Sequence, residues 1–449
     1  MDRTNHVARF IHRQFRLTWE TVLRKITPAL LAMLCATTLP MPALAQGVMP
    51  GIGQGMGQQL GNPFDNRLDP VIDRARQAVD RVPGDVAQAL DNATTTMVQS
   101  ARALAEARVE RIDRLLRQNP ASIERDAAGD PAVKGELLIM APEAAMLDKA
   151  RALGFAVIGN ERLASLDLAV TRLAIPSGMS LAQAQAALGK ALPDATISAD
   201  VLHFTAGAAS PRGGVMHLGT MPALQTPVGM IDGAPAQAID ALQGFAPGAP
   251  AASDHGSAVA NLLSGAGVRH ILAADVYGRG PTGGNALAIA RAVDWLIGRQ
   301  VRVITISLVG PANPLLARAM TAALQRGAVI VAAVGNDGPA APPAYPASYP
   351  GILAVTAVDA RNRALIEAGR ALHLDYAAPG AGLRAANARG QMVPVRGTSF
   401  AAPLVASRVA AARDAHASVL QALDREAIDL GPRGPDQQYG RGLLCTICR

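Results

Sequence analysis

Aromatic residues are scarce in this chain: phenylalanine, tryptophan and tyrosine together make up 3% of its 449 residues. Proteins that hold single-stranded nucleic acid stack its bases on such side chains, so the composition argues against that class of partner. The formal net charge of +7 does not reverse this. The first 45 residues contain six Arg or Lys and two acids, so they supply +4 of the excess. We therefore expect no nucleic-acid partner.

Hydrophobic runs long enough to span a bilayer are missing beyond residue 45. No later segment approaches the roughly 18 uncharged apolar residues that a transmembrane helix requires. No stable membrane span is therefore expected once the leader has been removed.

Residues 1–45 themselves have the three parts of a secretory signal peptide. A basic region ends at Lys25, an apolar run covers residues 28–39, and an Ala-x-Ala sequence ends at Ala45. This pattern predicts a protein that is secreted or periplasmic. Because the basic region is longer than usual, an uncleaved membrane anchor is the alternative.

Cysteine is almost absent, since only Cys445 and Cys448 lie beyond the leader. In an exported protein this pair can close a small disulfide, and idle thiols are the alternative. A redox pair belongs at a strand–helix junction and a structural zinc needs four ligands, and the sequence offers neither. We expect no metal and no cofactor; no acidic loop is clear enough to assign calcium, which stays open.

The region before the first compact unit, residues 46–130, is predicted to be flexible or helical. Residues 46–66 are rich in Gly and Gln, which is typical of a flexible spacer. Residues 70–118 combine helix-forming residues with loosely periodic apolar ones, which predicts one or two amphipathic helices with no evident docking surface. The Asn119-Pro120 pair ends this stretch.

Residues 131–205 are predicted to form a small α+β unit. The apolar patterns give the order β-α-β-β-α-β, which is that of a ferredoxin-like fold. The predicted strands cover residues 136–141, 155–158, 166–175 and 196–201, and the predicted helices cover 142–153 and 180–192.

Residues 206–225 are expected to be a linker, and residues 226–449 to form an α/β domain. Continuous apolar strands alternate with helices in this domain, which indicates a parallel sheet covered by helices on both faces. The predicted strands are 228–231, 270–274, 301–307, 328–333 and 352–357, and the helices are about 255–265, 283–298, 312–326 and 399–413. Sites in such sheets form at the carboxyl ends of the strands.

Three reactive side chains lie at element junctions of this domain. Asp232 follows an apolar strand, and His255 and Ser399 each open a helix. An imidazole can take the proton of a serine hydroxyl, and a carboxylate can fix the imidazole tautomer. Taken singly, each residue has a plainer interpretation as a strand end, a turn or a helix cap. Their joint occurrence in the order Asp, His, Ser predicts a catalytic triad.

Asn336 adds a fourth element, because it follows a buried strand in a glycine-flanked turn. Its side-chain amide can donate a hydrogen bond to a developing oxyanion, with the backbone N–H of Ser399 as the second donor. Alone, it would be interpreted as a turn asparagine.

These four motifs, in this order, resemble the subtilisin-like serine proteases, or subtilases. The resemblance covers about residues 220–444 and extends to the segments 306–311, 345–359, 375–380 and 439–442. It implies that Asp232 orients His255, that His255 is the base, that Ser399 is the nucleophile and that Asn336 is the oxyanion donor. It also implies that the substrate-binding residues are Ser307, Leu308, Val309 and Gly335.

By the same resemblance, the ferredoxin-like unit is similar to a subtilase propeptide, a folding helper and temporary inhibitor. Three positions depart from the family pattern. Asp232 is followed by Gly-Ala, Phe400 replaces a usual Met, and Val309 replaces a Gly that commonly lines the primary specificity pocket. The branched Val309 predicts a preference for small residues at that pocket.

The resulting expectation is an exported serine endopeptidase, made as a zymogen, that acts on proteins or peptides and is blocked in cis by its own propeptide. The unusual sequence after Asp232 leaves a second hypothesis, an inactive relative that serves as a binding module. An esterase with the same acyl chemistry is the third.

Overall fold

The computed structural model describes residues 84–206, 208–209 and 221–448, without the side chains at 84–98, 208–209 and 447. The predicted signal peptide and the Gly-rich spacer lie outside the described residues. The chain divides into two compact units, Met1–Thr95 and Thr96–Arg449.

The helices are α1 (Gly84–Gln118), α2 (Ala144–Ala152), α3 (Leu181–Ala191), α4 (Asp254–Gly265), α5 (Ala286–Gly298), α6 (Pro314–Gln325), α7 (Thr398–Asp414) and α8 (Val419–Glu426), with a 3-10 turn at Thr446–Cys448. The strands are β1 (Ile123–Arg125), β2 (Pro131–Met140), β3 (Ala156–Leu163), β4 (Leu168–Ala174), β5 (Ile197–Val201), β6 (Phe204–Thr205), β7 (Ala208–Ala209), β8 (Val228–Asp232), β9 (Ala241–Gly244), β10 (Ile271–Asp275), β11 (Val303–Ile306), β12 (Leu308–Val309), β13 (Val329–Ala333), β14 (Leu353–Val358), β15 (Tyr376–Pro379), β16 (Ala381–Ala386) and β17 (Met392–Arg396). In the described part of the chain, no helix combines the length and hydropathy needed to cross a bilayer.

The segment from β2 to β5 has the predicted order β-α-β-β-α-β. Its sheet is antiparallel: β2 pairs with β5 along one side and with β1 and then β4 along the other, and β3 completes the sheet beside β4. Helix α3 begins at a capping box between Ser180 and Gln183 and buries Leu181, Ala184 and Leu188. These three positions lie on one helix face, which covers the sheet.

A parallel sheet of seven strands forms the larger α/β domain, in the order β15-β14-β13-β11-β8-β10-β9. The predicted parallel sheet flanked by helices is thereby confirmed. Strands β8, β10 and β11 are buried along their whole length because helices cover both faces. Met230 belongs to the core formed with α4 and α7, and its neighbour Ile231 to the core formed with α5 and α6.

The ferredoxin-like unit packs on the face that α5 and α6 cover, and its apolar residues share one hydrophobic core with these helices. Polar contacts support this packing. The carboxylate of Asp200, in β5, accepts a hydrogen bond from the N–H of Leu287 at 2.9 Å, and Asn313 donates to the carbonyl of Ala199 at 3.0 Å. Both contacts involve groups at the first turns of α5 and α6.

Several short strands were not predicted, namely β1, β6, β7, β9 and β15 to β17. Each is too short or too poor in alternating residues to be recognised locally, and the partners of β6 and β7, which are β12 and β17, lie more than 100 positions later. The predicted linker at 206–225 contains β7, whereas its residues 207 and 210–220 lie outside the described part.

Candidate active site

Asp232 is the last residue of β8, near the middle of the parallel sheet. Its side chain is 1% exposed, and its Oδ1 accepts a hydrogen bond from the N–H of Gly233 at 2.7 Å. The carboxylate therefore lies at the carboxyl edge of the sheet, where sites form in parallel α/β folds.

His255 is the second residue of α4, which begins where the hydroxyl of Ser253 accepts the N–H of Gly256 at 2.9 Å. Its Nδ1 lies 2.9 Å from both carboxylate oxygens of Asp232. This contact favours the tautomer that carries its proton on Nδ1. The other ring nitrogen, Nε2, is then free to accept a proton.

The close approach of α4 to β8 requires a glycine at position 256. A Cβ atom on Gly256 would overlap the carbonyl oxygen of Gly233, so a larger residue would push His255 away from Asp232. On the opposite side, the buried ring of Phe400 lies 5.2 Å from the imidazole, measured between ring centroids. Phe400 thus limits the movement of the imidazole in that direction.

Ser399 is the second residue of α7 and follows Gly397, whose φ of 140° favours glycine. Its Oγ lies 3.0 Å from Nε2 of His255. The structure therefore brings the three predicted side chains, Asp232, His255 and Ser399, into one hydrogen-bonded row.

Pro403 is the sixth residue of α7, and a side chain compensates for the hydrogen bond that it cannot make. A proline cannot donate to the carbonyl four residues earlier, which here belongs to Ser399. That carbonyl instead accepts the hydroxyl of Ser307 at 3.0 Å. The substrate-binding segment and the helix that carries Ser399 are thereby joined.

Asn336 lies just after β13 and is oriented by the residue before Ser399. Its Oδ1 accepts the N–H of Thr398 at 3.0 Å, so that its Nδ2 is directed toward the start of α7. The hydroxyl of Thr398 accepts the N–H of Gly335 at 3.0 Å and donates to the Gly335 carbonyl at 3.2 Å. The turn that carries Asn336 is therefore fastened to α7.

Two donors converge on one backbone carbonyl in this site. The N–H of Ser399 donates to the carbonyl oxygen of Ala206 at 3.1 Å, and Nδ2 of Asn336 donates to the same oxygen. Sequence reasoning missed Ala206, because nothing in the Gly- and Ala-rich segment around it suggested a peptide that enters a site.

The residues before Ala206 lie along the predicted substrate-binding segment. Phe204 and Thr205 form β6, which pairs antiparallel with Leu308 and Val309 of β12. The N–H of Ala206 donates to the carbonyl of Ser307 at 3.1 Å. A strand of the chain itself thus lies along the predicted substrate-binding segment and ends next to Ser399.

Val309 lies close to the turn that contains Gly335. A Cβ atom on Gly335 would lie 3.4 Å from both methyl groups of Val309, which places the valine side chain in ordinary contact with this turn. The gap between β12 and the Asn336 turn is therefore narrow, as expected if Val309 restricts it.

His203 and Asp200 are two buried titratable residues just before this strand. The ring of His203 packs against Gly310, and within the described part of the chain neither ring nitrogen has a hydrogen-bond partner. Burial lowers the pKa of His203 from 6.5 to about 4. Burial also raises the pKa of Asp200 from 3.8 to about 7, against the opposing hydrogen bond from Leu287.

Cys445 and Cys448 form a disulfide, and both residues are fully buried. They belong to the core beside α7 and α8 and lie apart from the row at Ser399. The pair closes the last turn of the chain, as one of the two sequence interpretations proposed.

Comparison with known proteins identifies the relatives of this site. A family model described as the subtilase family matches residues 246–442, a range that includes His255, Asn336 and Ser399 and begins after Asp232. Fervidolysin from Fervidobacterium pennivorans, described as a keratinolytic enzyme related to subtilisin, has the same fold with a TM-score of 0.58. It is 17% identical in sequence, and the match covers 72% of this chain and 61% of fervidolysin.

Two curated relatives differ in how much of them is matched. The minor extracellular protease Epr of Bacillus subtilis is 28% identical over 167 residues, which are 36% of this chain and 26% of Epr. Subtilisin Savinase of Lederbergia lenta is 30% identical over 218 residues, which cover 44% of this chain and 80% of Savinase. With four fifths of a subtilisin matched and the fold shared, this chain belongs to the subtilase family.

Proposed function

We propose that this protein is a serine endopeptidase in which Ser399 is the nucleophile. The observation that supports this most directly is the row Asp232, His255 and Ser399 beside two donors that already hold a peptide carbonyl. Protein or peptide substrates are proposed because the groove beside β12 accepts an extended strand.

In this mechanism, Oγ of Ser399 attacks the substrate carbonyl carbon while Nε2 of His255 takes its proton. Asp232 stabilises the positive imidazolium that results. The N–H of Ser399 and Nδ2 of Asn336 bind the oxyanion of the tetrahedral intermediate. The leaving amine takes the proton from His255, and water then hydrolyses the acyl-enzyme by the same steps.

We further propose that the protein is made as a zymogen whose segment up to Ala206 blocks the site in cis. The carbonyl of Ala206 lies 3.1 Å from the N–H of Ser399, and β6 occupies the substrate groove. A substrate carbonyl would have to take this position, so no substrate can bind while the segment is in place. The bond that follows Ala206 is then the bond that Ser399 cleaves during maturation. Export to the periplasm or the medium is part of the same proposal.

Labelling with a fluorophosphonate probe tests the nucleophile. The chain should be labelled after maturation, whereas Ser399→Ala should not be labelled and should remain at full length. A matured protein that fails to react would instead support the binding-module hypothesis. Turnover of casein against a p-nitrophenyl ester separates an endopeptidase from an esterase, and N-terminal sequencing of the mature protein identifies the cleaved bond.

A further inference from the structure

Residues 101–112 of helix α1 present one apolar face to the rest of the unit Thr96–Arg449. Ala101, Ala105 and Ile112 are buried, at 6%, 4% and 5% exposure. Leu104 and Arg108 lie on the same face, at helical spacings of three and four residues, and are partly buried. The sequence predicted an amphipathic helix here without a docking surface, and the structure supplies that surface.

The surface is the turn that follows Asn336. Arg108 Nε lies 3.4 Å from Oδ2 of Asp337, and Arg111 Nη2 lies 2.8 Å from its Oδ1. Leu104 packs on the next residue, Gly338, where an added Cβ atom would lie 3.0 Å from the Leu104 side chain. One carboxylate of the turn is thus held by two guanidinium groups of α1.

Asp337 is the direct neighbour of the residue whose amide donates to Ala206. The side chains of Asp337 and Arg108 are only 20% and 19% exposed, so solvent screens this pair less than it screens a surface ion pair. Undocking α1 returns these groups to water, so the two ion pairs favour docking by the amount that their attraction exceeds the cost of removing that water.

The opposite end of α1 is fastened to the ferredoxin-like unit. Asp113 pairs with Arg125 at the end of β1, and Lys134 of β2 donates to the carbonyl of Pro120 at 2.7 Å. The segment that ends at Ala206 therefore reaches the catalytic domain not only through β6 and the α5–α6 face but also through α1.

We call the segment that ends at Ala206 the prosegment. We infer that the α1 face at residues 101–112 is an inhibitory anchor that keeps the cleaved prosegment bound to the Asn336 turn. The inference rests on the proposed function, because it concerns the state after the bond following Ala206 has been cut. The cleaved segment holds the catalytic domain at two places, β6 and α1. When one of them detaches, the other keeps it close enough to rebind, so the segment leaves far more slowly than one with a single contact. Latency then outlasts cleavage until α1 is undocked or degraded.

The test compares maturation of the full-length wild-type chain with that of the double variant Arg108→Gln, Arg111→Gln. Both substitutions lie in the prosegment, so the mature domains have identical sequences and any difference arises from α1. Cleavage is followed by gel electrophoresis and activity by hydrolysis of a chromogenic peptide. We expect the double variant to be cleaved at the wild-type rate within about twofold. Its lag between cleavage and the appearance of activity should be at least about tenfold shorter than that of the wild type.

Arg114→Gln is the matched control, because Arg114 is on the same helix, is 58% exposed and pairs with Glu110. It should keep the wild-type lag. Raising the salt concentration should shorten the lag of the wild type more than that of the double variant, because only the wild type retains the ion pairs.

Asp337→Asn probes the same contact from the catalytic domain and decides the question if the double variant does not fold. It should shorten the lag to a similar extent. Combining it with Arg108→Gln and Arg111→Gln should shorten the lag no further, because all three substitutions remove the same ion pairs. Active enzyme that appears with the wild-type lag in both variants would overturn the anchor while leaving the proposed function intact. Absence of cleavage and of fluorophosphonate labelling in the wild type would overturn both.

Discussion

The hydroxyl of Ser307 donates to the carbonyl oxygen of Ser399 at 3.0 Å, in place of the N–H that Pro403 lacks. Ser307 and Ser399 are both fully buried, so water cannot replace this bond. A buried carbonyl without a partner costs about 1–3 kcal/mol. The bond therefore stabilises the first turn of α7, which carries the proposed nucleophile and one proposed oxyanion donor.

We predict that Ser307→Ala lowers kcat about tenfold or more and lowers the free energy of unfolding by about 1–3 kcal/mol. Adding Pro403→Ala should restore part of both quantities, because an alanine at this position has an N–H that can reach the Ser399 carbonyl. Peptide hydrolysis and denaturant unfolding of the two variants measure the effects. Equal losses in the single and the double variant would show that the unsatisfied carbonyl is not the cause.

Replacing Asn336 with Ala should lower kcat far more than it raises KM. Its amide donates to the Ala206 carbonyl oxygen, the position proposed for the oxygen that becomes negative in the transition state, and losing one such donor typically costs about 10²–10³-fold in kcat. Self-cleavage after Ala206 should slow by a comparable factor. Asn387→Ala, at an exposed turn, is the matched control and should leave both rates unchanged. A variant impaired mainly in KM would contradict the role given to Asn336.

The third prediction concerns which substrate residue is preferred on the amino side of the cleaved bond, the residue whose carbonyl is attacked. Val309 contacts the Gly335 turn, and the chain's own strand places an alanine, Ala206, at this position. The wild type should therefore cleave tetrapeptide p-nitroanilides ending in Ala faster than those ending in Phe. Val309→Gly should raise kcat/KM for the Phe substrate by about 10–200-fold relative to Ala, the usual range for hydrophobic pocket contacts.

Val309→Thr is the control for this prediction, since threonine keeps the branched shape and should retain the preference for Ala. If the wild type hydrolysed the Phe substrate more efficiently than the Ala substrate, Val309 would not limit the pocket.

The parallel sheet and its catalytic edge were predictable because their signals are local. Strands such as β8 and β13 are continuous apolar runs, and Asp232 and Asn336 follow them directly, so strand ends and site residues could be placed together. The starts of α4 and α7 were equally visible, because glycines flank the reactive side chains.

Three features could not be predicted from the sequence, because each depends on a contact between segments that are far apart along the chain. The two-residue strand β6 exists only because β12 lies beside it, about a hundred positions later, so residues near Ala206 resembled a linker. The face of α1 was recognisable as amphipathic, but its partner, the turn at Asp337, is more than 200 positions away. Ser307 was assigned through the family pattern, which does not reveal that its hydroxyl replaces a helix hydrogen bond.

The stability of the uncleaved chain should depend on pH through two buried residues with opposite effects. The pKa of His203 is near 6.5 when the residue is exposed and about 4 in the fold, so the unfolded chain binds more protons between these values. Its contribution to stability is therefore lost as the pH falls from 6.5 to 4. Asp200 binds its proton more tightly in the fold, with a pKa of about 7, so its contribution falls as the pH rises from 3.8 to 7.

Because these two slopes oppose each other between pH 4 and 6.5, single substitutions are needed to reveal them. In an uncleavable Ser399→Ala background, His203→Phe should gain stability relative to the parent as the pH falls, by at most about 1.4 kcal/mol per pH unit. Asp200→Asn should gain relative to the parent as the pH rises toward 7, because the amide keeps a side-chain oxygen for the Leu287 N–H without a buried charge. Denaturant unfolding at half-unit pH steps measures both differences. Curves that stay parallel to the parent across this range would show that neither side chain changes its proton affinity on folding.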